Sequence, residues 1–246
     1  DVVMKLAIMQ PYFLPYISYL QLLKYADIFV VFDSVQFIDK GWINRNRIMH
    51  PNAEKKWQYI SYPLSGKSNF ASIRDVKVNN NFNLKSNLLG KISSFKKAPF
   101  YSDVEEYIHH IDSQISGTEY ISEINTIILN NLNDRLNLNC RIIEEINISY
   151  DKSKIQHSGQ WAVEISKAMS ANTYINPVGG RELFKQSEFD QFEIDLEFLK
   201  SQHFTYDQNQ IQFEPNLSVL DALLWNGFQN TSALIASNYT IEGSNK

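Results

Sequence analysis

The sequence predicts an α/β fold on a mainly parallel sheet, and three observations predict it. The run LAIM at residues 6–9 is apolar throughout, as in a strand buried on both faces. A helical stretch and a second apolar run, IFVVFD, follow it, which makes a strand–helix–strand unit within about 30 residues and implies a right-handed parallel crossover. Strand and helix patterns then alternate to the end of the chain, with no internal repeat and no low-complexity linker. At 246 residues and 43% hydrophobic content the chain is long enough for one α/β domain spanning 1–246, with a helical subdomain over about 82–137.

The elements follow in order. Residues 16–26 carry apolar positions at helical spacing, and residues 28–33 form the second buried strand. Residues 55–64 alternate as a strand, paired with 47–50 across the turn HPNAEK, which gives a β-hairpin insertion. Residues 65–78 read as a loop and a further strand. Residues 82–95, 102–111 and 121–137 read as helices, the first broken by Pro99. Residues 140–150 contain a strand, 157–171 a helix, 173–180 a short strand ending in a Gly turn, and 192–199 another strand. The helix at 217–227 stops at Gly227, a typical residue just past a helix end. The final residues, TIEGSNK, read as frayed. The whole is a Rossmann-like sheet with flanking helices and a hairpin insertion.

Composition narrows the function. The net charge is -4, so the chain as a whole is not built to bind a polyanion. A single cysteine, Cys140, excludes a disulfide framework and a cysteine-based zinc site. No apolar run approaches the roughly 20 residues that span a bilayer. A soluble cytoplasmic protein without membrane insertion is expected.

In open α/β sheets, ligands sit beyond the carboxyl ends of the strands. That rule brings QPYFLPY, FDSVQFIDK, ISYDKSK and NPVGGRE to one rim. In QPYFLPY, Pro11 and Pro15 fix their own φ and push their neighbours away from helical geometry. Gln10, Tyr12 and Tyr19 are thereby candidates to meet a ligand at a strand tip, beside a helix start that favours anions; an aromatic plug closing the sheet is the structural alternative. In FDSVQFIDKGWINRNRI, Asp33 is a candidate base or Mg²⁺ ligand. Gln36, Lys40, Trp42, Asn44, Arg45, Asn46 and Arg47 suit a phosphate or pyrophosphate over an aromatic platform, since Arg pairs with phosphate oxygens bidentately. A solvated hairpin laced with salt bridges is the alternative there. Gly179 and Gly180 offer backbone N–H groups to an anion, with an ordinary turn as the alternative. His157 is a catalytic candidate or a helix cap. No metal-ligand cluster, P-loop or Ser-His-Asp spacing is visible.

Taken together, QPYFLPYISYLQLL, ADIFVVFDSVQF, DKGW with NRN, KKAPFY, TYINPVGGRELF and NLSVLDALLWNG resemble the WbqC-like family over nearly the whole chain. Ser18 stands where that family usually has Gly. The resemblance implies a role in bacterial O-antigen or other surface-polysaccharide biosynthesis, as a glycine (aminoacyl) transferase acting on an amino sugar. The implied acceptor is a nucleotide-linked amino sugar, with Arg45, Arg47 and Lys40 on its pyrophosphate and Asp33 taking the amine proton. The donor is a free amino acid with ATP and Mg²⁺, a charged tRNA or an acyl-CoA. The competing readings are a nucleotidylyltransferase-like sugar-activating enzyme and a non-catalytic sugar-nucleotide-binding partner.

Overall fold

A computed structural model describes residues 3–66 and 70–243. The sheet begins with β1 (Lys5–Met9), crosses through α1 (Ile17–Tyr25), and returns as β2 (Ile28–Val31). A long excursion follows. It holds the hairpin β3 (Arg45–Met49) and β4 (Trp57–Ser61), then α2 (Leu84–Ile92), α3 (Tyr101–Ile115) and α4 (Ile121–Arg135). The chain re-enters the sheet as β5 (Arg141–Glu144), and α5 (Gln160–Ala168) leads to β6 (Thr173–Pro177). The short α6 (Gln186–Asp190) precedes β7 (Asp195–Ser201). Last come α7 (Val219–Ser237) and β8 (Tyr239–Gly243).

The sheet order is β5-β2-β1-β6-β7-β8, and β3 pairs separately with β4. All neighbours in the large sheet run parallel except β7 and β8. The fold is therefore the expected mainly parallel, Rossmann-like α/β sheet with flanking helices and a separate antiparallel hairpin. The order reverses between β1 and β6, which opens a crevice there at the carboxyl ends.

Alternation sorts the strand side chains into two cores. Ala7, Phe29, Val31, Ile175 and Leu199 pack with α1, α4 and α7 on one face. Leu6, Ile8, Val30, Tyr174 and Phe198 pack with α5 and Phe189 of α6 on the other. Both faces are thus covered, which explains the unbroken apolar runs of β1 and β2.

The structure departs from the sequence reading in three places. Residues 70–78 form no strand; a short 3-10 turn at Ile73–Asp75 and isolated bridges hold them, and 67–69 lie outside the described residues. The last helix does not stop at Gly227. It kinks there, at φ 69° and ψ 178°, and continues to Ser237. A Cβ on Gly227 would meet Phe100 Cδ1 at 2.6 Å, so the glycine serves a close approach rather than a stop. Within TIEGSNK, the described part is not frayed: it belongs to β8, hydrogen-bonded along β7. Residues 244–246 lie outside the described residues. Among the described residues, no helix is long and apolar enough to cross a membrane.

Candidate functional site

The turn after β1 carries no Gly and takes its bend at Leu14, whose φ is 41°. Such a backbone persists only where its surroundings hold it. Here nearly every carbonyl of the turn is gripped. Tyr19 Oη donates to the Gln10 carbonyl at 2.7 Å. Asn125 Nδ2 donates to Pro11 O at 2.9 Å and to Ile43 O at 2.8 Å. Asn46 Nδ2 reaches Phe13 O at 3.1 Å, and Ser218 Oγ reaches Leu14 O at 2.7 Å. The Val219 N–H closes the set on Pro15 O at 2.8 Å. Prolines suit this turn because they add acceptors without donors that would need partners.

That rigid turn forms one lip of a cleft of about 550 Å³ at the switch point. The β1 end supplies Met9, Gln10 and Tyr12, and the loop after β2 supplies Phe32, Val35 and Ile38. Ser158, Trp161 and Ala162 come from the start of α5. Asn176, Gly179, Gly180 and Phe184 come from the segment after β6. Among the described residues, no Asp, Glu, Lys, Arg or His lines it. Two further depressions have similar volumes, near 530 and 540 Å³. Size therefore does not choose among them; position at the reversal of strand order does.

The glycines are explained by contact. A Cβ on Gly180 would meet Asn176 Nδ2 at 2.2 Å, whereas one on Gly179 would meet nothing within 4 Å. Gly180 thus lets the turn close on Asn176, and Gly179 leaves the cleft wall open. Tyr12 stacks on Tyr19, with ring centroids 5.0 Å apart, and burial raises the Tyr12 hydroxyl above its ordinary pKa. Tyr19 lies beneath it, buried, with a pKa raised further by desolvation.

The hairpin candidates sit elsewhere. Arg45 donates from Nε to Gly41 O at 3.1 Å, also bonds Lys40 O, and lies 4.4 Å over the Tyr59 ring. Arg47 lies between Trp42 and Trp57, at 5.3 and 5.0 Å, and reaches Asn216 O at 3.4 Å. The Asn44 amide bonds Tyr62 O at 3.0 Å. Asn46 is fully buried on the hairpin's inner face. Lys40 and Gln36 are exposed, and Gln36 bridges Ser72. None of these residues lines the cleft. The arginines tie a loop and a hairpin together through carbonyls and rings, which differs from the convergent phosphate clamp expected of them.

Asp33 is 3% exposed and faces a different depression. Its Oδ1 accepts from Arg74 Nη2 at 2.6 Å and Nε at 3.1 Å, and its Oδ2 accepts from Ser122 Oγ at 2.6 Å. Arg74 also bonds Glu145 at 2.7 Å. Burial pushes the Glu145 carboxyl upward, but hydrogen bonds from Tyr150, Arg74 and Lys152 outweigh it and hold it below the usual range. Asp33 is thus a member of a closed ionic tie between β2, the 73–75 turn and β5, rather than a free base.

His157 accepts the Gly159 N–H at Nδ1, 3.2 Å away, and so donates from Nε2 to Glu188 at 2.9 Å. Both nitrogens are in use, and the ring fixes the entry to α5 beside the cleft. Gly159 is needed there, since a Cβ would meet Leu183 O at 2.1 Å. Cys140 is buried, and burial pushes its thiol up to about 12. Among the described residues, no group of three or more His, Cys, Asp or Glu is placed to hold a metal ion.

Of the sequence candidates, Gln10, Tyr12, Gly179 and Gly180 converge on the cleft, and His157 stands behind its rim. Phe32, Trp161 and Phe184 were not singled out because aromatic residues in or beside regular elements read as core. Their one signal was an aromatic residue at the end of a strand or the start of a helix.

A family model described as the WbqC-like protein family matches residues 10–233. The chain is also similar to the uncharacterized protein Rv1507c of Mycobacterium tuberculosis. They share 23% identity over 221 residues, covering 89% of this chain and 92% of that protein. No solved structure matches the chain significantly.

Proposed function

The chain belongs to the WbqC-like protein family, and on that premise we propose that it is an aminoacyl or acyl transferase forming an amide on a nucleotide-linked amino sugar, in bacterial surface-polysaccharide biosynthesis. The observation that carries the reading is the cleft at the strand-order reversal. It is walled by aromatic and apolar side chains, with Gln10, Tyr12, Ser158 and Asn176 among its few polar groups.

The chemistry asks little of charged side chains. The neutral sugar amine attacks the activated carbonyl, a C–N bond forms, and the bond to the leaving group breaks. The proton shed by nitrogen departs with that leaving group. What the protein supplies is orientation and a site for the oxyanion. In this reading Gln10 and Tyr12 orient the nucleotide-bearing substrate, the backbone N–H groups of Gly179 and Gly180 face an anionic oxygen where that substrate leaves the cleft, His157 positions the start of α5, and Asp33 supports the loop after β2.

The uncharged lining also favours a second reading, a sugar-nucleotide-binding partner without chemistry of its own. One assay separates the two. Purified protein is incubated with a nucleotide-linked 4-amino sugar and, in parallel, glycine with ATP and Mg²⁺, charged tRNA, or acyl-CoA. A sugar product heavier by a glycyl or acyl group in the mass spectrum is expected, and the productive arm names the donor. Saturable binding with no product in any arm overturns the transferase reading for that acceptor.

A further inference from the structure

We propose that the switch-point cleft is a nucleobase site, which takes the flat, uncharged ring of a nucleoside and leaves its phosphates outside. This deepens the transferase reading, because both a sugar nucleotide and an adenylate-forming donor carry such a ring.

Three observations carry it. Among the described residues the lining has no cationic side chain, so none of them neutralises a diphosphate in the cleft. The nearest arginines of the sequence candidates, Arg45 and Arg47, are committed to carbonyls and aromatic rings in the hairpin block. A ligand that enters the cleft is therefore selected by ring contact and by hydrogen bonds of neutral groups.

The walls offer rings at several angles. Trp161 meets Phe32 edge-on, with centroids 5.1 Å apart, and Tyr12 is braced from behind by Tyr19. Every base has a π-face that such side chains can cover.

Apart from Asn176 and Tyr174, which bond each other and the Pro177 carbonyl, the polar side chains in the cleft are also unspent. The Gln10 amide, the Ser158 and Tyr12 hydroxyls and the Trp161 indole N–H make no hydrogen bond to any described residue. This contrasts with Asn46 and Asn125, whose amides donate to backbone carbonyls in the core nearby. A primary amide presents a donor beside an acceptor, the pattern that matches a base edge and that Gln uses on adenine. The gripped turn holds Gln10 at the strand tip, so the amide is presented without an ordering cost on its backbone.

The test is equilibrium binding to the full chain, read by dialysis and by tryptophan fluorescence. The probes are uridine, thymidine, guanosine and adenosine, the diphosphate of each, inorganic pyrophosphate, and an unphosphorylated amino sugar. At least one nucleoside is expected to bind saturably, within about tenfold of its diphosphate. Raising the salt to about 0.5 M should leave that nucleoside affinity unchanged, because no charge is paired. Trp161→Ala should weaken it by about tenfold or more. Gln10→Leu, at a half-buried position, should change the ranking among bases while the protein stays folded. A preference for adenosine assigns the cleft to the activating nucleotide of the donor; a preference for another base assigns it to the acceptor.

Diphosphates or pyrophosphate binding while no nucleoside does would overturn the inference. So would binding of the amino sugar alone, or of no probe. Acyl product formed without nucleoside binding refutes this inference and spares the transferase reading. Nucleoside binding with no acyl product does the reverse.

Discussion

The switch-point cleft and the hairpin block lie on either side of one turn, yet they use their polar residues in opposite ways. In the block, Asn46, Asn125, Ser218 and Arg45 all make hydrogen bonds to backbone carbonyls, and Asp33 is enclosed by Arg74 and Ser122. In the cleft, Gln10, Tyr12 and Ser158 have side-chain groups with no hydrogen-bond partner among the described residues. The difference teaches that density of chemically suggestive residues marks structural load as readily as function. An irregular segment such as 10–16 has carbonyls that regular structure cannot satisfy, and burying them unpaired is costly. Asn, Ser and Arg gather where that need is greatest. A ligand site is marked instead by polar groups left available.

If this contrast is right, the largest stability effects fall in the block. Asn125→Leu strands the Pro11 and Ile43 carbonyls in the core, and should cost about 2–5 kcal/mol in urea unfolding. Asp33→Ala takes from Arg74 one of its two carboxylate partners and from Ser122 its buried acceptor, and should cost about 3 kcal/mol. Its folded fraction should still bind the sugar nucleotide. Turnover lost from fully folded Asp33→Ala protein would instead return Asp33 to the chemistry.

Asp221 sharpens the same contrast. It sits buried in the first turn of α7 and accepts from the Met49 N–H, Tyr206 and Gln208, which joins β3 to the 202–218 segment. It has no cationic partner among the described residues, and burial pushes its carboxyl up to about 6. A carboxyl raised in the folded state gives stability that is present below its unfolded value near 4 and is lost as pH rises through about 6. The Asp221 contribution should therefore fall by roughly 2–3 kcal/mol across that window, read as the difference between the pH–stability curves of the wild type and Asp221→Asn. Parallel curves for the two proteins between pH 4 and 7 would take that role from Asp221.

The smallest stability effects belong to the cleft. Gln10→Leu should shift stability by no more than about 0.5 kcal/mol, since it breaks no internal hydrogen bond. A large drop in Tm for that variant would mean that the Gln10 amide carries structure after all.

The parallel sheet was legible because β1 and β2 are buried on both faces and so appear as unbroken apolar runs. The hairpin was legible because Ile48 and Ile60 turn inward between outward Arg47 and Tyr59. β8 was not, because an antiparallel strand that ends the sheet carries no such run. Gly227 misled because a glycine that admits Phe100 looks the same in sequence as one that ends a helix. At the cleft, the rim rule reached the segments of Gln10, Tyr12, Phe32, Gly179 and Gly180, and the structure brings these residues together. Trp161 lay outside those segments, and Phe32 was not singled out within its own, since nothing local distinguishes an aromatic wall from an aromatic core. The Arg, Trp and Asn of 42–47 make carbonyl and ring contacts that the sequence could not separate from a phosphate clamp, because a loop tie and a clamp draw on the same residue types.

The central claim is that the cleft binds and the hairpin supports. The most direct test compares the affinity of a nucleotide-linked amino sugar for two variants, Gln10→Leu and Arg47→Leu, each corrected for folded fraction. Gln10→Leu should lose about tenfold or more at unchanged Tm. Arg47→Leu should lower Tm while its folded molecules bind as the wild type does. Intact binding by Gln10→Leu together with lost binding by folded Arg47→Leu would contradict the account and move the site to the hairpin.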